Sequence, residues 1–220
     1  MIEARPPLVL VSGAPGSGKT TLAAHLAPAL ALPLIGKDGV KELLYDTVGA
    51  PDVPASQKLG AAAIAMLYFV AHRLLDAGVG VILESNFMRP ISDAELRALA
   101  ARSRAVVVHC SPPPEVTARR YRERAEGGER HPGHHDLAAI PRLLDGLERG
   151  LYEPGEWDMP VLRVDTTAGY APDLPELVAA VRQHLGLPAA LPHLPQGVAS
   201  LTAQAPVPRS RGESGTEARA

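Results

Sequence analysis

The sequence predicts an α/β fold in three layers around a parallel five-stranded sheet. Short apolar runs of strand length alternate with longer stretches whose apolar residues recur at helical spacing, from Leu8 to Leu185. Those runs are apolar at successive positions, as expected of strands buried on both faces. The first of them ends in a Gly-rich turn that opens directly into a helix.

Each element follows from its own pattern. Leu8 to Ser12 reads as the first strand, and Thr20 to Leu30 as a helix with Leu22, Leu26, Ala29 and Leu30 on one side. Pro33 to Gly36 is a second short strand, with a helix expected from Gly39 to Thr47 and a loop from Pro51 to Pro54. The longest helical pattern runs from Ala55 to Ala77, with Gly78 as its stop. Val79 to Leu83 is the third strand. Ser92 to Arg102 is a helix on which Ser92 and Glu95 form a capping-box pattern. Ala105 to Cys110 is the fourth strand, Pro112 to Ala125 an Arg-rich helix, and Leu137 to Arg149 the next helix. Val161 to Asp165 and Asp173 to Leu185 complete the pattern. Residues 1–186 are therefore expected to form one domain. The Pro-rich, aperiodic residues 187–220 are expected to be a disordered tail.

Composition narrows the function. The chain of 220 residues carries 22 Lys+Arg against 24 Asp+Glu. That near-balance disfavours a protein built to clamp nucleic-acid backbone or an anionic membrane. Cys110 is the single cysteine, which excludes an intrachain disulfide and a multi-cysteine zinc site. Arginine outnumbers lysine 18 to 4, a bias that weakens any argument from one arginine alone. The N-terminal residues lack the apolar core of a signal peptide, and no run of about 18 apolar residues comes after them. A cytoplasmic location without membrane attachment is expected.

The chemistry begins at Gly13-Ala14-Pro15-Gly16-Ser17-Gly18-Lys19-Thr20, which fits G-x-x-x-x-G-K-[ST] between a strand and a helix. Glycines let successive N–H groups face a triphosphate at a helix N-terminus. Lys19 would supply charge to the β- and γ-phosphates and Thr20 an oxygen to Mg²⁺. The pattern implies binding of a nucleoside triphosphate. Asp38 follows the second strand, whose C-terminal end faces the ligand crevice. It is either the base that takes the proton of an attacking hydroxyl or the cap of the next helix. Glu84, at the end of the third strand, would hold Mg²⁺ or substrate hydroxyls, or anchor its loop.

Arg120 and Arg124 share a helix face that runs into a Gly/His/Pro-rich segment, and Arg130 lies within that segment. Residues 119–136 have the composition of a lid whose arginines close over phosphates, with a solvated charge face as the alternative. His131, His134 and His135 with Asp136 raise a zinc reading, which the lack of cysteine support disfavours. Tyr152 and Trp157 are expected to pack, and Val164 to Thr167 to end beside the nucleotide.

Together GAPGSGKTT, KDGVKELL, VILESNF and RRYRERAEGGERHPGH resemble the small P-loop kinases grouped as AAA-type ATPases. That group includes the zeta-toxin and chloramphenicol phosphotransferase kinases and the polynucleotide 5′-hydroxyl kinases. The resemblance covers residues 7–186 and implies a nucleotide kinase-like fold that uses ATP and Mg²⁺. It implies phosphoryl transfer to a hydroxyl of a small molecule, with Lys19, Asp38, Arg124 and Arg130 as catalytic residues. Gly13, Ala14, Pro15, Gly16, Ser17, Gly18, Lys19, Thr20, Thr21 and Arg120 would bind the nucleotide, and Thr20 and Glu84 the metal. The glutamate of VILES stands where relatives commonly have aspartate. The alternatives are a polynucleotide or nucleoside 5′-hydroxyl kinase and a non-catalytic ATP-binding regulator. A basic, aromatic-interleaved surface for long nucleic acid is missing from the sequence.

Overall fold

The structure is a computed structural model that describes residues 5–127, 131–134 and 136–188. In chain order the elements are β1 (Pro7–Ser12), α1 (Lys19–Leu30), β2 (Leu34–Gly36), α2 (Lys37–Val48), α3 (Val53–Asp76) and β3 (Val81–Glu84). They continue with α4 (Asp93–Ala100), β4 (Arg104–Cys110), α5 (Pro114–Glu126), α6 (Asp136–Glu148), β5 (Val161–Val164) and α7 (Leu174–Leu185). The five strands form one parallel sheet in the order β2-β3-β1-β4-β5. Three layers around a parallel sheet were expected, and they are present.

The period of two along β1 explains the layers. Val9 and Val11 face a core shared with Leu22, Leu26, Leu177 and Val181 of α1 and α7. Leu8 and Leu10 face the opposite core, with Leu67, Ala71 and Leu75 of α3 and Leu96 and Leu99 of α4. Central strands buried on both faces need apolar residues at every position, which is the pattern the sequence carries. Their C-terminal ends, at Ser12 and Glu84, open on one edge of the sheet. Ligands of such sheets bind there.

Among the described residues, α3 is the one helix long and apolar enough to cross a membrane by length and composition. Here its Leu67, Ala71 and Leu75 are buried against the sheet side.

Four local expectations are corrected. Pro51 to Pro54 is not all loop: the Asp52 carboxylate accepts from the Ala55 N–H at 2.7 Å and caps α3, with Pro54 in its first turn. The capping box at Ser92 does not form. Ser92 has helical dihedrals (φ −86°, ψ −13°), which turn its hydroxyl away from the N–H groups it would cap, and Glu95 meets His72 at 3.3 Å instead. The helix expected from Gly39 begins at Lys37, immediately after β2. Packing also continues past residue 186: Leu187 lies against the α1/α7 core and its N–H donates to the Arg182 carbonyl. The rest of the expected tail, residues 189–220, lies outside the described residues.

Tyr152 and Trp157 pack, as expected. Trp157 is 2% exposed and its indole N–H donates to Asp93 at 2.7 Å. Tyr152 joins a small third core with Ala14, Tyr121 and Leu143, beneath α5 and α6.

Candidate active site

The loop from Gly13 to Gly18 joins the buried end of β1 to α1. Gly16 and Gly18 have φ of +91° and +85°, and Gly18 occupies the position that caps α1. A Cβ on Gly16 would lie 2.7 Å from the Thr117 carbonyl oxygen of α5. The loop therefore needs glycine twice over, for its backbone conformation and for the close approach of α5. We expect Gly16→Ala to destabilise the fold by about 1–3 kcal/mol, the scale of one forced positive φ. Denaturant unfolding measures this, and an unchanged midpoint would mean that the loop relaxes freely.

Ser17 is buried, and its hydroxyl has no hydrogen-bond partner among the described residues. An orphaned hydroxyl in a cradle of glycines at a helix N-terminus fits a phosphate-bearing ligand. The other side of the loop is held by Thr166, whose hydroxyl donates to the Ser17 carbonyl at 2.6 Å. Arg120 in turn donates to the carbonyls of Thr166 and Thr167 at 2.8 and 2.9 Å. The segment after β5, expected to end beside the nucleotide, is thus bolted to the phosphate loop. Thr21 lies exposed on α1.

Lys19, 9% exposed, lies with its Nζ 3.7 Å from Glu84 Oε1. The Thr20 hydroxyl donates to the same oxygen at 3.3 Å. β3 brings Glu84 here because its register sets that residue beside Val11 on one side and Gly36 on the other. Burial pushes the Glu84 carboxyl above its ordinary value of 4.5; Lys19 opposes this and the charge of Asp38 adds to it. A raised folded pKa means that the group's contribution to stability is complete below 4.5 and is lost as pH rises through the raised value. Without nucleotide, Glu84→Gln should therefore gain stability relative to the parent as pH rises from 4.5 toward neutrality. A difference that stays flat across that range would mean that the carboxylate is ionised in both states. A metal could be held by Thr20 and Glu84, both oxygen donors suited to a hard cation.

Asp38 is not the cap of α2. That position belongs to Gly36, and Asp38 sits in the first turn, its carboxylate 3.1 Å from Lys37 Nζ. It lines a cavity of about 550 Å³ together with Lys19 and Glu84. Arg124 lines the same cavity and lies over the Tyr121 ring, 5.1 Å from its centroid. Arg130 lies outside the described residues.

The segment after α5 is seated on α2 and α3. His131 meets Asp46 at 3.0 Å, His134 meets Glu42 at 2.9 Å, and the Ser56 hydroxyl donates to the Gly133 carbonyl at 2.7 Å. Among the described residues no cluster of metal-ligating side chains occurs; His135 lies outside them.

A family profile described as an AAA domain matches residues 8–149, which include the phosphate loop, Asp38, Glu84 and Arg124. The chain belongs to that AAA domain family. A candidate kinase from Chloroflexus aurantiacus J-10-fl superposes with a TM-score of 0.72 at 35% identity, over 82% of this chain and 99% of that one. Kti12 of Chaetomium thermophilum superposes with a TM-score of 0.57 at 24% identity, over 82% and 99%. That second likeness shows the fold alone. An uncharacterised protein of Mycobacterium tuberculosis (strain ATCC 25618 / H37Rv) is 36% identical over 129 residues, 54% of this chain and 26% of the relative. The chain spans about a quarter of the length of the curated relatives it matches. The AAA domain fold here is the kinase-like P-loop arrangement that the sequence motifs resemble.

Three features escaped the sequence reading. Arg142 lines the cavity from α6, outside every motif, and Lys41, within the KDGVKELL element, lines it from α2 with no signal of its own. The docking of His131 and His134 pairs residues some ninety positions apart, as does the buried contact between Ser12 and His109 at 2.8 Å. Long-range pairs of this kind have no local signal.

Proposed function

We propose that the protein is an Mg·ATP-dependent kinase that transfers the γ-phosphoryl group to a hydroxyl of a small molecule. The observation that carries this reading is the cavity in which Lys19 and Glu84, beside the phosphate loop, share one space with Asp38. A regulator that only bound ATP would have no use for a carboxylate on the acceptor side. The size of the cavity, about 550 Å³, suits a small molecule better than a polynucleotide end with its flanking backbone.

Bound Mg·ATP would supply the electrophilic phosphorus and a counter-charge to the phosphates. The residues do the rest. Backbone N–H groups of the Gly13 to Gly18 loop other than Pro15, which has none, and Ser17, whose N–H is donated to the Ala14 carbonyl, would hold the phosphates together with the Ser17 hydroxyl. Lys19 would stabilise charge on the β- and γ-groups, and Thr20 and Glu84 would hold the metal. Asp38 accepts the acceptor's hydroxyl proton. Arg124 and Arg130 stabilise the phosphoryl group in transit, and Arg120 braces the adenine side through the Thr166 and Thr167 carbonyls. The solved Kti12 structure contains ADP-AlF₃, which is in keeping with a nucleotide at this loop. A cytoplasmic setting belongs to the same reading.

The test is an ATP-consumption screen against hydroxyl compounds, nucleosides and short oligonucleotides, with mass detection of the phosphorylated product. Transfer to a small alcohol supports the reading. Transfer to oligonucleotide ends alone would replace it with the polynucleotide kinase alternative.

A further inference from the structure

We infer that His131-Pro132-Gly133-His134 is a clasp that fixes α2 against α3 and thereby positions Asp38; the role of Asp38 in this inference rests on the kinase reading above. α2 needs such a hold. None of its residues is buried, and Leu43 and Val48 are 57% and 68% exposed. It leaves the sheet from β2, an edge strand of three residues, and ends at Gly49, where φ is +72°. A helix that buries so little apolar surface opens readily. A general base, in contrast, must be held within hydrogen-bond reach of the group it deprotonates.

The spacing of the acids on α2 shows where the hold is applied. Asp38, Glu42 and Asp46 stand four apart, on one face of the helix. His134 meets Glu42 at 2.9 Å and His131 meets Asp46 at 3.0 Å. The first acid of the row, Asp38, lines the cavity, and so does His134. Like charges at this spacing repel one another, and the two imidazoles offset that repulsion where they dock.

Each residue of the clasp has a distinct use. The His134 N–H closes a β-turn on the His131 carbonyl at 3.0 Å, with Pro132 and Gly133 at its centre. Pro132 presets φ at the first central position. Gly133 supplies room: a Cβ there would lie 3.0 Å from the Tyr45 ring of α2. Its carbonyl accepts from the Ser56 hydroxyl of α3 at 2.7 Å. Its N–H donates to His131 Nδ1 at 3.1 Å, which leaves Nε2 of that ring to carry the proton and donate to Asp46. The same ring meets Tyr45 edge-on, with centroids 5.2 Å apart. One turn of four residues thus grips α2 at three side chains and α3 at a fourth. His131 and His134 are positioning residues, acting on the reaction through α2.

Hydrogen exchange on the full chain tests the clasp without any ligand. His131→Ala/His134→Ala should speed exchange of the α2 amides from Lys41 to Val48 about tenfold, the scale of two partly exposed hydrogen bonds. Exchange in α1 and α7 should not change. Gly133→Val, which keeps both histidines and removes only the room beside Tyr45, should have the same effect. His131→Gln/His134→Gln retains side-chain N–H donors toward Asp46 and Glu42 and should bring exchange back toward the parent. Phosphoryl transfer is then read with Mg·ATP over glycerol, ribose, D-gluconate and adenosine. The alanine pair should lower kcat at least about tenfold, because a displaced base loses rate steeply, and leave KM for ATP unchanged. The glutamine pair should recover most of that loss. Unchanged α2 exchange in both the alanine and valine variants overturns the inference, and so does exchange that rises equally throughout the chain. Faster α2 exchange with unchanged kcat overturns the positioning of Asp38. Faster α2 exchange in a protein whose parent transfers to none of the four probes supports the clasp and counts against the kinase reading instead.

Discussion

Lys19→Ala is expected to abolish measurable ATP turnover while the chain remains folded. Lys19 serves the phosphates from a buried position, where its charge acts in a low dielectric and is worth far more than in water. Removing one preorganised electrostatic group of this kind lowers kcat by about 10²–10³. Loss of triphosphate affinity adds to that. The cost to the empty protein is small for a specific reason. Glu84, the partner at 3.7 Å, is already biased by burial toward its neutral form, so the carboxyl can take up a proton when its cation is gone rather than remain a buried, unpaired charge. Thermal unfolding separates these effects. At about 100 times Kd, Mg·ATP should stabilise the parent by about 2.7 kcal/mol through mass action, and should leave Lys19→Ala unmoved. An equal shift in both proteins would remove the phosphate-loop assignment.

The fold was legible because its signals are local. A central strand with apolar residues at Leu8, Val9, Leu10 and Val11 can only be buried on both faces, and a glycine loop before Lys19 sets the start of the first helix. Asp38 and Glu84 could be placed near the phosphate loop from their positions at strand ends alone, since parallel sheets gather those ends on one edge. Helix starts were harder. The difference between Gly39 and Lys37 as the start of α2 turns on whether Gly36 or Asp38 takes the cap, and both are acceptable cap residues. Ser92 shows the converse: a capping-box sequence is present, but Ser92 has helical dihedrals and the contact with His72 draws Glu95 elsewhere. The far wall of the cavity was legible only in part: Lys41 lies within the KDGVKELL element and Arg142 in no motif. Lys41 and Arg142 stand about a hundred residues apart, and only the assembled sheet brings α2 and α6 around one cavity.

Asp38→Asn is the substitution that decides whether the protein is a catalyst. Asparagine keeps the shape of the side chain and an oxygen that can still accept from Lys37, so the first turn of α2 should stand. What it cannot do is take the acceptor's proton. Phosphoryl transfer should therefore fall by about 10²–10⁴, the range for a lost general base. The loss should lie in kcat, with KM for ATP unchanged, because Asp38 lies on α2 and outside the phosphate loop. Steady-state kinetics with ATP varied at saturating acceptor gives this split directly. A weakened ATP affinity at unchanged kcat would make Asp38 a structural partner of Lys37. That outcome would also change the meaning of the cavity: it would then hold a bound effector, and the protein would be an ATP-dependent sensor.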